Sequence, residues 1–285
     1  MKKWLCSVAG LSLALAGSLA VQAQTPTVPP PNILSIQTDT LKPYADGPYD
    51  KVASEYPALS RQLKDPTHVL ALEALTGIPR AIYLSGFDSF EALQKNEEWL
   101  SGEAAIKFDE LDARAAPSLS EVRDTIWHFR ADLSNNVAGA DIPHSRYWEV
   151  MIFHMRPGHD KEFMAMTKLY RDANVKIGQN TPWATYQGMM GVGDSFLVLV
   201  PMKSLKDQDT GLANVKDFGA ALGDEGRVQM SKISEESVAS HEDNIWMVIP
   251  EWSYVEKSWI DADPKFWTPR PAAAKSKAKH AAVAR

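Results

Sequence analysis

Hydrophobic order begins at Ile33. Residues 33–41, "ILSIQTDTL", alternate apolar and polar with period two, while residues 147–155, "YWEVMIFHM", are apolar on both faces, as in a strand covered on both sides. Both stretches are predicted strands. A Lys/Arg-Pro turn follows each, and then apolar residues at helical spacing: Tyr49, Val52, Tyr56, Leu59 and Leu63 in the first case, Phe163, Met166, Tyr170 and Ala173 in the second. Pro57 interrupts the first helix and is expected to kink it.

The two stretches echo one another. "LKPYADGPYDKVASEY" at residues 41–56 and "MRPGHDKEFMAMTKLY" at 155–170 align at an offset of 114, superposing Pro43 on Pro157, Asp46 on Asp160 and Tyr56 on Tyr170. Beyond the helix, residues 66–93 align with residues 181–207, and Gly77 and Gly193 fall at the turn between two apolar strands. Asp88-Ser89-Phe90-Glu91 has the form of a capping box opening a helix. A long helical stretch and a last strand, marked by Ile126-Trp127 and Ile245-Trp246, complete each copy. The order strand, helix, strand, strand, helix, strand is therefore expected twice.

That order is the split βαβ of the ferredoxin-like fold. The predicted class is α+β: two tandem ferredoxin-like βαββαβ repeats, at residues 33–140 and 141–258, forming an intrachain dimeric α/β barrel in which the two sheets close face to face. On this repeat pattern, and on phrases such as "RPGHDKEF", residues 33–255 resemble the dimeric α/β-barrel superfamily, similar to its NIPSNAP-like and antibiotic-biosynthesis-monooxygenase-like groups. The resemblance implies the fold. Members of that superfamily include cofactor-free monooxygenases, haem-binding enzymes and proteins without known activity, so it leaves the reaction open.

The ends of the chain add a compartment. Lys2 and Lys3, the apolar run from Trp4 to Ala20 and the small residue Ala23 read as a secretory signal over residues 1–23, which predicts a periplasmic or secreted protein without a transmembrane segment in the mature chain. Residues 24–32 form a proline-rich linker, and residues 259–285 a C-terminal extension with a basic, disordered tail. Cys6, the only cysteine, lies within the signal, so disulfides and thiolate chemistry are excluded from the mature chain. The net charge of −6 is also uneven. With two basic residues in the signal and five in residues 270–285, residues 24–269 keep 23 basic against 36 acidic side chains, a net −13. Such a body repels phosphate, and nucleic acid is not an expected partner. Because duplication would supply both halves of the barrel, a monomer is expected.

Candidate chemistry follows strand parity. Ser35, Gln37 and Asp39 share one face of the first strand, while Leu34 and Ile36 take the other and are expected to meet the helices. His128, Arg130 and Asp132 share a face of the fourth strand. First and fourth strands are neighbours in the ferredoxin-like order, which is expected to bring Gln37, Asp39, His128 and Arg130 together inside the barrel. At the aligned positions of the second half stand Met151, Phe153, Met247 and Ile249, with Glu149 aligned to Ser35. One polar pocket facing an apolar wall suits a small amphipathic ligand such as a quinone, an aromatic acid or a lipid fragment, with Ser35, Gln37 and Glu149 as binding residues.

Three readings of the polar set stay open. Asp39 and Arg130 form a structural ion pair, or the set is a ligand site in which His128, oriented by Asp39, acts as general base while Arg130 stabilises an anionic intermediate in a cofactor-free monooxygenase-like enzyme, or the face is an exposed one and not interior at all. A haem protein would need an axial histidine, for which His68, His128 and His154 are candidates. His154 and His159 match no metal-binding motif, and no metal site is expected. The residues name no cofactor.

Overall fold

The computed structural model describes residues 29–268. The expected signal at residues 1–23 and the basic tail at 270–285 lie outside the described residues. Among the described residues there are eight strands: β1 (Ile33–Leu41), β2 (Leu70–Ala74), β3 (Arg80–Phe87), β4 (Leu119–Phe129), β5 (Tyr147–Met155), β6 (Ala184–Met190), β7 (Ser195–Met202) and β8 (Val238–Val248). They close into one antiparallel barrel in the order β1-β3-β2-β8-β5-β7-β6-β4. The first four strands stand as β4-β1-β3-β2 and the last four as β8-β5-β7-β6, the same order. The two sheets meet across the interior through one shared apolar cluster. They join edge to edge along two short seams, Leu72–Ala74 against Trp246–Val248 and Ile126–Phe129 against Tyr186–Met190, which satisfies the edge strands that two open sheets would expose.

Helices cover the outside. The first half carries α1 (Asp46–Ala53), α2 (Tyr56–Leu63), α3 (Phe90–Leu100) and α4 (Glu103–Ala115); the second carries α5 (Asp160–Lys176) and α6 (Lys206–Ser237); α7 (Lys257–Ala262) and α8 (Pro264–Trp267) follow the last strand. Pro57 does more than kink a helix. It occupies the first turn of α2, where its missing N–H costs nothing, and the chain breaks between α1 and α2 at Ser54-Glu55. Ser89, one residue beyond the cap that the predicted box implies, caps α3, its hydroxyl accepting from the Ala92 N–H at 3.2 Å; the third helical position is thus Ala92, and Glu91 pairs with Lys95. Gly77 and Gly193 both take positive φ at their turns. No helix among the described residues is long and apolar enough to cross a membrane.

The interior reverses the expected parity. Leu34 and Ile36, anticipated under helices, point into the barrel and pack with Leu70, Leu72, Ile82, Leu84, Trp127, Trp148, Val150, Tyr186, Leu197, Leu199, Trp246 and Val248. Eight strands leave an interior just wide enough for side chains to fill, and filling it with apolar groups avoids burying polar ones without partners. Ser35, Gln37 and Asp39 accordingly face outward. Met247 and Ile249 also face outward, packing with Tyr49, Ala71, Ala81 and Trp252 beneath the helices of the first half, and Phe153 packs with Phe163 and Phe196 beneath those of the second. Trp127 finds an acceptor inside the barrel wall: its N–H reaches the Thr125 hydroxyl at 2.8 Å, which in turn donates to the Ile36 carbonyl.

Candidate functional site

Antiparallel register decides which of the expected residues can meet. On β4, Ile33 lies opposite His128, and Asp39 lies opposite Val122. Six strand residues, roughly 20 Å at ~3.3 Å per residue, therefore separate Asp39 from His128. The grouping of Gln37, Asp39, His128 and Arg130 does not form. Adjacent strands in an antiparallel pair put the start of one beside the end of the other, and strand order alone does not carry that information.

Each expected residue has its own surroundings. Asp39, 4% exposed, accepts from the Tyr49 hydroxyl at 2.6 Å and the Gln37 amide at 2.9 Å, and Tyr49 also meets the Tyr83 hydroxyl at 2.7 Å. Burial raises the Asp39 carboxyl above the ordinary range, against the opposing pull of these donors. The cluster lies between the first sheet and α1 and hands its hydrogen bonds around internally. Ser35 is half-buried opposite Ser85 on the same outward face. His128 is exposed, across the seam from Gln187. Arg130 holds Asp132 through two bonds of 2.9 and 2.7 Å and reaches the Gln187 carbonyl at 2.5 Å, and Gln187 continues to Asp160 on α5. The guanidinium keeps the Asp132 carboxyl below its usual value. Arg130 thus has an ion-pair partner, but it is Asp132 and not Asp39. Glu149 accepts from the Gln208 amide at 3.1 Å, and burial together with neighbouring Asp243 raises its carboxyl.

A cavity of about 660 Å³ lies elsewhere, at one end of the barrel. Its wall is built from the first halves of β1, β5 and β6 and the second halves of β3 and β7, with Leu34, Trp148, Tyr186, Leu84 and Leu199, joined by Leu70 at the start of β2. These positions share one end because parallel strands β1, β2, β5 and β6 all begin there, while their antiparallel neighbours finish there. Three segments outside the barrel enclose the space: Pro29–Pro31, the connector at Val137–Ile142, and the stretch after β8 that includes Val255 and Trp259. Pro31 lies directly on β3, where a side chain at Gly86 would come within 2.8 Å of it. The C-terminal segment is anchored by Trp267, whose indole donates to the Pro143 carbonyl at 2.8 Å, and by an ion pair between Arg146 and Asp263.

The wall is apolar and aromatic; the charged and polar groups, His68, Asp88, Lys95 and Glu256, stand at the rim. The indole N–H groups of Trp148 and Trp259 are buried without a partner. A third orphan, Trp246, is the cross-strand neighbour of Trp148.

A haem in this space would need an axial histidine. Among the described residues His68 alone of the histidines borders it, and that ring stacks on Tyr254 at the mouth, 5.0 Å between centroids. His154 is held by the Ser195 hydroxyl at 2.7 Å, away from the cavity. No cluster of three or more His, Cys, Asp or Glu residues that could hold a metal occurs among the described residues.

A closed eight-stranded antiparallel barrel with external helices is the ferredoxin-like, dimeric α/β-barrel fold. An anthrone oxidase-like protein shares it with a TM-score of 0.53, 13% identity, and coverage of 79% of this chain and 94% of that one. More distant are a chlorite dismutase from Candidatus Nitrospira defluvii, with TM-score 0.45, 8% identity and coverage of 78% and 92%, and a heme-binding protein from Thermus thermophilus, with TM-score 0.46, 11% identity and coverage of 80% and 95%. The likeness is one of fold alone. No protein-family model and no curated protein matches the sequence.

Strand parity does not find the cavity residues, because it looks for polar positions and this wall is apolar. One signal in the sequence does point to a segment that covers the cavity: Trp259, Phe266 and Trp267, a cluster of aromatics after the last strand, is too large an apolar surface to leave in water, and Trp259 lines the space.

Proposed function

We propose that this chain is an exported protein that binds a small amphipathic organic molecule in the barrel-end cavity. A single observation carries the reading: a space of about 660 Å³, within the range of small-molecule sites, has a wall of leucine, tryptophan and tyrosine and a rim of charged groups. An apolar body would displace water from the wall while a polar end stays at the rim. The export signal read at residues 1–23 supports a periplasmic or extracellular ligand. Identical strand order in the two halves, together with the sequence echo, supports tandem ferredoxin-like repeats at residues 33–140 and 141–258. Both halves of the barrel come from one chain, which favours a monomer.

Leu84→Trp is designed to fill the cavity. Titration with 1-anilinonaphthalene-8-sulfonate, and native mass spectrometry of the purified protein for any molecule carried with it, test the reading together. The natural protein is expected to bind the probe, and the variant to bind at least about tenfold more weakly while melting within a few degrees, since overpacking costs about 1–3 kcal/mol. Equal binding by both proteins would place the probe elsewhere and defeat the proposal.

A further inference from the structure

We infer that the Tyr186 hydroxyl is the polar recognition element of the barrel-end cavity, and that the ligand meets it with an uncharged carbonyl oxygen set in an apolar body. This rests on the ligand-binding reading above. The described residues include two buried tyrosines, Tyr49 and Tyr186, each 2% exposed. A buried tyrosine ordinarily places its hydroxyl on a partner, and Tyr49 does so, on Asp39 and on Tyr83. The Tyr186 hydroxyl has no hydrogen-bond partner among the described residues, and burial alone acts on its phenol, pushing it above the ordinary value. At neutral pH it is therefore an intact O–H with a proton to donate. Nor is the oxygen walled in. The orphan indole nitrogens of Trp148, Trp246 and Trp259 are sealed by protein, but the Tyr186 oxygen is not one of these sealed atoms, so the surface it keeps opens on the cavity that Tyr186 lines.

Position and surroundings define what the hydroxyl can take. Tyr186 stands on β6 opposite Phe129 on β4 and Leu197 on β7, and its ring lies 5.4 Å from that of Phe129 inside the barrel. Strand pairing on both sides holds the ring in place, so its oxygen is offered at one point of a wall whose neighbours Leu34, Leu84 and Leu199 offer no polar atom. A charged group drawn in among those leucines would lose its hydration and find no counter-ion, because the charged side chains stand at the rim. A hydrocarbon would shut the hydroxyl away from water without a partner. A ketone or ester gives up far less water than an ion and accepts the proton that Tyr186 has to donate.

Isothermal titration of the purified protein with 2-acetylnaphthalene, 2-isopropenylnaphthalene and 2-naphthoate separates these demands, since the first two are nearly isosteric and differ by a carbonyl oxygen in place of a methylene. The acetyl compound is expected to bind about tenfold more tightly than the isopropenyl compound, which leaves the hydroxyl unpaired, and more tightly than the naphthoate. Tyr186→Phe removes the oxygen alone. It should bring the acetyl compound down to the affinity of the isopropenyl compound and leave the latter as tight as before or tighter. The variant should also melt no lower than the natural protein, since a hydroxyl without a protein partner has no bond to lose. Equal binding of the acetyl and isopropenyl compounds by the natural protein, equal weakening of both by the variant, preference for the naphthoate, or a drop of several degrees in the variant's melting temperature would overturn the inference while leaving ligand binding intact. Failure of all three compounds to bind would instead remove the reading on which it stands.

Discussion

At Asp39, burial and hydrogen bonding pull in opposite directions. Burial raises the carboxyl, and the bonds from Tyr49 and Gln37 lower it without cancelling the rise. A folded-state value above the unfolded one, near 3.9, means that the folded state binds the proton more tightly. The stability this group contributes is therefore fully present below about pH 3.9 and is lost as pH rises through the raised value. Asp39→Asn removes that slope, so urea midpoints of the variant should gain on those of the natural protein between about pH 4 and pH 7. A constant difference across that window would show that the carboxyl is not raised. Tyr49→Phe strips one of the two side-chain donors from the same buried oxygen pair and should cost about 1–3 kcal/mol at neutral pH. In the sequence, Asp39 is recognisable as a polar residue needing a partner. Its partner Tyr49 is recognisable only as an apolar-face helix residue, because the hydroxyl at the end of a buried ring leaves no trace in hydrophobic periodicity.

The turns between strands test how closely elements approach. Gly191, between β6 and β7, has φ of +78°, and a methyl group there would stand 2.5 Å from the Asp124 carbonyl oxygen on β4. Gly193, in the same turn, has φ of +67° with open space around it. Gly193→Ala should cost only the left-handed backbone penalty of about 1–2 kcal/mol. Gly191→Ala adds a clash with backbone that cannot move aside, and chemical denaturation should find it less stable than Gly193→Ala by about 1 kcal/mol or more. Gly193 is legible as a turn residue, since a Gly between two apolar runs marks a hairpin. The role of Gly191 is not, because the atom it would strike lies 67 residues away in sequence, across the seam. Element identities are mostly legible for the opposite reason: the strand and helix periods and the Ser89 cap are local. Pro57 reads as a kink in the sequence and in the structure begins a new helix, which is the cheaper place for a residue without an N–H.

For the whole molecule, closure is the governing fact. The two halves share an interior cluster and two hydrogen-bonded seams, so neither can lose its strands without opening the edges and core of the other. Unfolding followed by far-ultraviolet circular dichroism and by tryptophan fluorescence should therefore give coincident transitions. Two separated transitions would mean that the seams couple the halves only weakly. The same closure moved the candidate site. Eight strands bent into a ring leave a small interior, and the apolar face of β1 filled it, sending Ser35, Gln37 and Asp39 out toward the helices and leaving the open space at the barrel end.

Local chemistry determined the elements, their order, their echo at an offset of 114 and the acidic body, because each depends on residues a few positions apart or on composition. Tertiary structure alone decided which strand face turned inward, which end of β4 met β1, and that chain segments from before β1, between β4 and β5 and after β8 would converge over one cavity. Those outcomes depend on register and on the volume inside a closed ring, and both are set by contacts between residues far apart in sequence.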